Sequence, residues 1–512
     1  MKSIYLISIG TIFSSITYAQ NKIVLDPSKA KDTINKNIYG HFAEHLGHCI
    51  YGGFYVGDNK KIPNKDGIRL DIVDALKKLK IPVLRWPGGC FADNYHWKDG
   101  VGPKSQRKAT ENFSWGGVRE DNSFGTNEFL EMCEMMGAEP YLAVNVGGGT
   151  VQEAADWVKY VNHKNGTGHL TDLREQSGRK TPWNVKYWGI GNESWDCGGH
   201  MTPEYYANLY KQYVTFMTSY GNSEKLFRIA VGPGGANYEW TDVVMKNIPV
   251  KLIDGLSLHH YSVINWNNKG SAANFSEEQY FRIMEEASRM EELVQKNSDI
   301  MDKYDPAKKV ALVVDEWGGW YDVEPGSNGA FLFQQNTMRD AMIAGLTLNV
   351  FNNHCDRVRM ACLAQCINVL QAVILTNEEK MILTPTYHVM EMYNVHQDAT
   401  MIPVNVSSGD YSLGDKKLKA ISASASKDKN GVVHISIVNI DAHNDQDVTI
   451  DLGGLNAKSV SGRVLKSGKL QDHNEFDDPN KVKPETFTGA SLIGNNLSVK
   501  MPAFSVVVLT VK

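Results

Sequence analysis

Between residues 37 and 351 the chain alternates short, unbroken apolar runs with stretches of helical periodicity. The runs fall at 37–44, 82–87, 140–144, 185–190, 228–231, 253–260, 310–314 and 348–351. Continuous apolar segments of this length are expected of parallel strands buried on both faces. Ile68, Ile72, Leu76 and Leu79 make one helical stripe, and Ala154, Trp157, Val158 and Val161 make another. Thr150 with Glu153 and Ser276 with Gln279 have the spacing of capping boxes, and Thr202-Pro203 has the form of a helix start. Eight strands joined by helices predict an α/β fold, either a closed (β/α)8 TIM barrel or a doubly wound sheet. Gly147-Gly148-Gly149 has neither the lysine nor the spacing of a phosphate-binding turn, which favours the barrel.

After Thr384 the period changes. Alternating runs at 418–424, 432–439, 447–452, 459–465 and 504–511 are separated by Gly, Asn and Asp turns. They predict a C-terminal all-β sandwich domain over residues 385–512, after a barrel over 37–384. The strand-like Ile23-Val24-Leu25, within 20–36, is expected to pair with that sandwich. Residues 1–19 combine Lys2, an apolar run over 4–13 and the small-residue end Thr17-Tyr18-Ala19. This pattern predicts a signal peptide and export to the periplasm or beyond, because the run is too short to span a bilayer. No later run predicts a membrane span.

Composition narrows the function. The 512 residues suit one barrel plus one smaller module. A formal net charge of −5 argues against a nucleic-acid partner. The seven cysteines are odd in number and irregular in spacing, and most read as small buried hydrophobes, with Cys362 and Cys366 expected on one helix face. No CxxC or HExxH motif points to a metal.

A barrel carries its chemistry at the carboxyl ends of its strands. The fourth run ends in Gly191-Asn192-Glu193-Ser194-Trp195 and the seventh in Asp315-Glu316-Trp317. Two carboxylates facing one cleft are what glycoside hydrolysis requires, one as acid/base and the other as nucleophile. Strand ends four and seven lie across a barrel mouth, where a gap of about 5 Å fits the retaining geometry. The second run ends in Arg85-Trp86-Pro87-Gly88-Gly89-Cys90, whose arginine can steady a carboxylate or serve as a structural ion-pair partner. His41, Glu44, His45, His259, His260 and Tyr261, and the His354-Cys355-Asp356 segment, are further polar candidates, any single histidine among them being more often a core residue. Trp86, Trp97, Trp188, Trp195, Trp317 and Trp320 crowd the same ends, about half of them expected in the core.

Taken together these motifs, with Leu363-Ala364-Gln365, resemble the family 51 glycoside hydrolases, chiefly α-L-arabinofuranosidases, over nearly the whole chain beyond the leader. The resemblance implies Glu193 as acid/base and Glu316 as nucleophile. It implies that Asn192 binds the sugar 2-hydroxyl, that Arg85 flanks the nucleophile, and that Glu44, His259, Tyr261, Trp320 and Gln365 line the arabinose subsite. Cys90 falls at a position that touches the sugar and varies within the family. The resemblance also implies arabinose-containing plant polysaccharides or oligosaccharides as substrates, no cofactor or catalytic metal, and a homo-oligomer such as a hexamer. An endo-acting glucanase or xylanase and a non-catalytic carbohydrate-binding protein are the alternatives, the second disfavoured by the presence of both Glu193 and Glu316.

Overall fold

The computed structural model describes residues 21–164, 168–220 and 225–512. Eight parallel strands close into a barrel: Gly40–Phe42, Val83–Trp86, Glu139–Val144, Tyr187–Ile190, Phe227–Ala230, Gly255–Ser262, Ala311–Gly319 and Val358–Leu363. The last pairs with the first through Cys362 opposite Gly40, which completes the ring. Most of these strands are buried on both faces, because side chains fill the interior and helices cover the exterior.

Three helices start where their sequences predict, whereas Ile68 of the first stripe lies in the short strand Ile68–Arg69 ahead of the helix Leu70–Lys78. Thr150 accepts from the Glu153 amide at the head of Val151–Asn162. Ser276 and Gln279 cap each other's backbone at the head of Glu277–Tyr304. Pro203 opens Pro203–Phe216 behind its Thr202 cap. These contacts satisfy amide groups that a first helical turn leaves without partners.

The expected eighth strand is a correction. Residues 348–351 belong to the helix Met338–Asn353, and the barrel closes with Val358–Leu363 instead. That helix is buried almost all round, since one side faces the barrel and the other carries a β-sheet. Asn349 and Asn352 donate to Ser422 and Ser424 of that sheet at 3.2 and 3.1 Å. A helix covered on every side has the same apolar composition as a buried strand, so periodicity does not separate the two. The same shift moves Cys362 from a helix face onto a strand, with Cys366 in the segment after it. His354 ends the helix and bonds Glu291 on the outside of the barrel.

A further helix, Pro385–Met392, lies past Thr384 and packs against Met338–Asn353. Two sheets follow. One orders Val404–Ser407, Asn21–Leu25, Gln446–Asp451, Asn496–Met501 and Ala490–Ile493. The other orders Thr400–Ile402, Ile421–Lys427, Val433–Asn439, Ser505–Val511, Val460–Leu465 and Glu485–Phe487. Asn21–Leu25 runs antiparallel to Val404–Ser407 and parallel to Gln446–Asp451. Asn496–Met501 alternates exposed and buried residues, as a strand with one wet face should. Val433–Asn439 is buried on both faces, because the second sheet lies between the first sheet and the helix Met338–Asn353. Among the described residues no helix is long and apolar enough to cross a membrane.

Candidate active site

The seventh barrel strand carries one more residue than its neighbours near its end. Ser257 pairs with Val313 but His259 pairs with Glu316, and on the other side Val314 pairs with Ala361 but Trp317 with Leu363. An extra residue of this kind breaks the alternation of side-chain direction. Two consecutive carboxylates therefore both face the barrel interior. Asp315 accepts from Tyr141 Oη at 2.7 Å and lies 3.2 Å from His259 Nε2. Glu316 accepts from Arg85 Nη1 at 2.8 Å and from Tyr261 Oη at 2.7 Å.

Arg85 is buried at the end of the second strand and ties three segments together. Besides Glu316 it reaches the Asp315 carbonyl at 3.2 Å and Asn192 Oδ1 at 2.6 Å. With its oxygen held by Arg85, the Asn192 amide directs its N–H groups toward the cleft. Gly89 follows two residues after the cis Trp86–Pro87 turn, and a Cβ there would stand 2.9 Å from Glu316 Oε1. The glycine pair thus admits the carboxylate to the backbone.

Glu193 leaves the fourth strand beside Asn192. Its Oε1 accepts from His259 Nδ1 at 2.8 Å. Burial lifts its pKa above the ordinary carboxylate range, the His259 hydrogen bond pulls it back, and the charge of Glu316 adds to the rise. Burial opposes a charge on His259, but Glu316 together with Asp315 and Glu193 outweighs it and raises the imidazole to about 10. A cationic His259 can donate to Glu193 and Asp315 at once, as its two ring nitrogens are placed to do. Glu193, His259 and Glu316 each offer an atom within 4.8 Å of the other two.

Glu44 closes the far wall. Its carboxylate accepts from the Gly89 and Phe91 amides, Trp115 Nε1 and Gln365 Nε2. Burial and then the charge of Glu316 raise it to about 7. Glu44, Cys90, Asn192, Glu193, Tyr261, Glu316, Trp320 and Gln365 line one narrow recess. It opens beside a wider cleft of about 550 Å³ walled by Trp195, Trp266, Trp320, Glu286 and Arg289. All ten residues singled out from the sequence come together here, with Arg85 and His259 directly behind the carboxylates. Several weaker candidates do not. His41 is buried away from the recess and burial lowers its pKa to about 3. His45 binds Glu120, and His260 binds the Glu286 carbonyl. Trp86, Trp97, Trp188 and Trp317 are core residues, whereas Trp195 and Trp320 reach the cleft.

Three features escaped the sequence reading. Trp115 and Trp266 stand in loops without a strand-end motif, so only the fold brings them to the site. Asp93 is buried and accepts from the Val146, Gly147 and Asn192 amides at 2.8, 3.0 and 2.8 Å, which anchors the segment that carries Glu193. Cys90 and Cys197 form a disulfide across 107 positions, a pairing that the sequence reading did not foresee. Irregular spacing hid the pair, because the fold and not the sequence sets the partners. Five other cysteines are free and buried, in line with the reading of most cysteines as small buried hydrophobes.

The comparisons with known proteins agree with this geometry. Residues 75–275 match the family model described as the alpha-L-arabinofuranosidase 1 domain, and residues 315–505 match the alpha-L-arabinofuranosidase C-terminal domain. A Bacteroides ovatus protein named intracellular exo-alpha-L-arabinofuranosidase is 49% identical over 514 residues, covering 99% of both chains. The crystal structure of the family 51 arabinofuranosidase from Xanthomonas axonopodis pv. citri is 44% identical, with a TM-score of 0.94 over 96% of this chain and 100% of that one. An arabinose complex of the Thermotoga maritima α-L-arabinofuranosidase is 32% identical, with a TM-score of 0.84 over 96% and 99%. The expectation of a cleaved leader and export is corrected by the Bacteroides relative, which is named intracellular. That expectation rested on the composition of a short apolar run, and residues 1–20 lie outside the described residues. A glutamate pair across the barrel mouth, an arginine-clamped carboxylate and near-complete coverage by relatives of one activity all agree: this chain belongs to the family 51 glycoside hydrolases and is an α-L-arabinofuranosidase.

Proposed function

We propose that Glu316 is the nucleophile and Glu193 the acid/base of a double displacement that releases terminal arabinofuranose with retained configuration. One observation carries this reading. Oxygens of the two carboxylates lie within 4.8 Å of each other, one carboxylate held by Arg85 and the other by His259. That spacing suits direct attack and leaves no room for the intervening water that inversion needs. Arg85 and Tyr261 occupy the two oxygens of Glu316, which stabilises an anion aimed at the anomeric carbon. Glu193 has a raised pKa, and with Oε1 occupied by His259 its proton sits on Oε2. That proton passes to the leaving oxygen as Glu316 forms the glycosyl ester. Glu193 then takes a proton from water, which attacks the anomeric carbon, breaks its bond to Glu316 and frees arabinose.

In this reading Asn192, Glu44, Gln365, Tyr261, Trp320 and Cys90 hold the sugar, and His259 positions Glu193. The wider cleft receives the leaving chain, which supports arabinose side chains of plant polysaccharides or oligosaccharides as the substrate class. The division into barrel and β-domain is read in the same spirit, with the β-domain bracing the helix Met338–Asn353. A homo-oligomer follows from the family resemblance, and a light-scattering mass equal to the 57.1 kDa chain would reject it.

The test is hydrolysis of 4-nitrophenyl α-L-arabinofuranoside, with the first-formed anomer read by NMR. Glu316→Ala is expected to be inactive, and Glu193→Ala to lose most on substrates with poor leaving groups. Near-normal turnover by Glu316→Ala, or an inverted first product, would reject the assignment.

A further inference from the structure

The Cys90–Cys197 disulfide sits at the mouth of the catalytic recess, where it joins two loops that the barrel positions separately. Cys90 follows the glycine pair after the second strand. Cys197 lies in the turn after the fourth strand, where the Asp196 and Gly198 amides donate back to the Glu193 carbonyl at 2.7 and 3.1 Å. That turn folds Cys197 over Glu193. A Cβ on Gly198 would meet the Asn192 carbonyl oxygen at 2.2 Å, so the fold requires glycine there. Cys197 Sγ stands 3.7 Å from Glu193 Oε2, the oxygen that His259 leaves unoccupied. Suitable ligand atoms of Cys90, Cys197 and Glu193 all lie within 4.8 Å of one another.

We propose that Cys90, Cys197 and Glu193 form a redox-gated site for a soft divalent cation, such as zinc or cadmium, that exists only when the disulfide is reduced. Two sulfurs and one carboxylate oxygen are a donor set that zinc favours, with water in the fourth position. A tetrahedral ion with bonds of about 2.3 Å places its two sulfurs about 3.8 Å apart. Side-chain rotation over the 5.6 Å Cα–Cα separation of this pair reaches that distance. Cys197 is exposed, so an external dithiol has access to it. Its thiolate attacks Cys197 Sγ and releases Cys90. The second thiol of the reagent then frees Cys197. Two electrons and two protons pass to the cysteines, and the reagent leaves as a cyclic disulfide. The cation next displaces the two thiol protons and binds Glu193 Oε2. On that oxygen it occupies the place of the catalytic proton, so hydrolysis stops.

The site rests on the proposed acid/base role only for its effect on activity, and metal uptake is read separately. The full-length enzyme is reduced anaerobically with a water-soluble phosphine, which ends as the phosphine oxide with oxygen taken from water. After desalting it is titrated with cadmium or zinc chloride beside the oxidised enzyme. Reduced enzyme is expected to take up one ion per chain, with a cadmium–thiolate charge-transfer band. Its activity on an arabino-oligosaccharide, whose poor leaving group needs the acid, should fall about 100-fold, the scale of a lost acid/base group, and return on chelation. Oxidised enzyme and Cys197→Ser should show neither the band nor the reductant-dependent loss. Equal inhibition of the oxidised and reduced enzymes would place the ion among Glu193, His259 and Glu316 and overturn the proposal. A band that persists in the Cys90→Ser/Cys197→Ser double variant would assign it to the buried cysteines and also overturn it. One-ion uptake with the band but undiminished activity would uphold the metal site while counting against Glu193 as acid/base.

Discussion

Asp93 lines neither the recess nor the cleft, yet it ties Asn192, the neighbour of Glu193, to the Val146-Gly147 segment through three backbone hydrogen bonds. Its Oδ1 takes the Val146 and Gly147 amides and its Oδ2 takes the Asn192 amide, all within a buried pocket. Asp93→Ala leaves three buried N–H groups without an acceptor, at about 1–2 kcal/mol each once water replaces part of the loss, so about 3–6 kcal/mol in sum. Asp93→Asn keeps two of the three bonds and turns an amide donor toward the third, which costs about 1–3 kcal/mol. Unfolding entropy scaled to 512 residues makes 1 kcal/mol worth about 1 °C in Tm. The expected falls are therefore about 3–6 °C for alanine and about 1–3 °C for asparagine, read by calorimetry at one scan rate. The kinetic signature is more specific. Because Glu193 follows Asn192 directly, a loosened Asn192 would misplace the proposed acid, and kcat should fall more for poor leaving groups than for 4-nitrophenol. An alanine variant with unchanged Tm and an unchanged ratio of the two rates would refute the anchoring role.

Glu44 is raised from 4.5 to about 7, so its share of stability is present below pH 4.5 and is lost as pH climbs to about 7. Glu44→Gln should flatten that part of the Tm–pH curve, and a parallel curve would contradict the burial argument. Gly345 faces the β-domain, where an added Cβ would stand 2.7 Å from Val438 Cγ2. Gly345→Ala is expected to lose about 1–3 kcal/mol in denaturant titration, and a gain would show that the helix has room to move. Trp266 is 58% exposed at the cleft edge and packs edge-on against Trp320 at 5.4 Å. Trp266→Ala should raise KM for arabino-oligosaccharides by about 3–10-fold and leave the aryl substrate nearly unaffected. An equal effect on both would remove it from the leaving-group side.

Strand ends with carboxylates beside glycine and tryptophan were legible in the sequence, because barrel chemistry concentrates at that edge. Seven of the eight strand positions were legible for the same reason, each being an apolar run of strand length. The eighth was not, since the helix Met338–Asn353 is covered on both sides and so reads like a strand. The extra residue that turns Asp315 and Glu316 to the same side leaves no mark in composition, for it is defined only by the pairing of neighbouring strands. Asp93 and the Cys90–Cys197 bridge were hidden for a related reason. Their partners lie up to 107 positions away, and only the closed barrel brings them together.

On the reading that the narrow recess holds one arabinose and the open cleft holds the chain, the layout also shapes the order of events over many turnovers. Freed arabinose lies behind the polymer that has just lost it, so the trimmed chain must depart before the monosaccharide can escape. Each cleavage then begins from a fresh encounter, with no sliding to the next branch. Partly digested material should contain chains with a random scatter of surviving branches, not a mixture of bare chains and untouched ones.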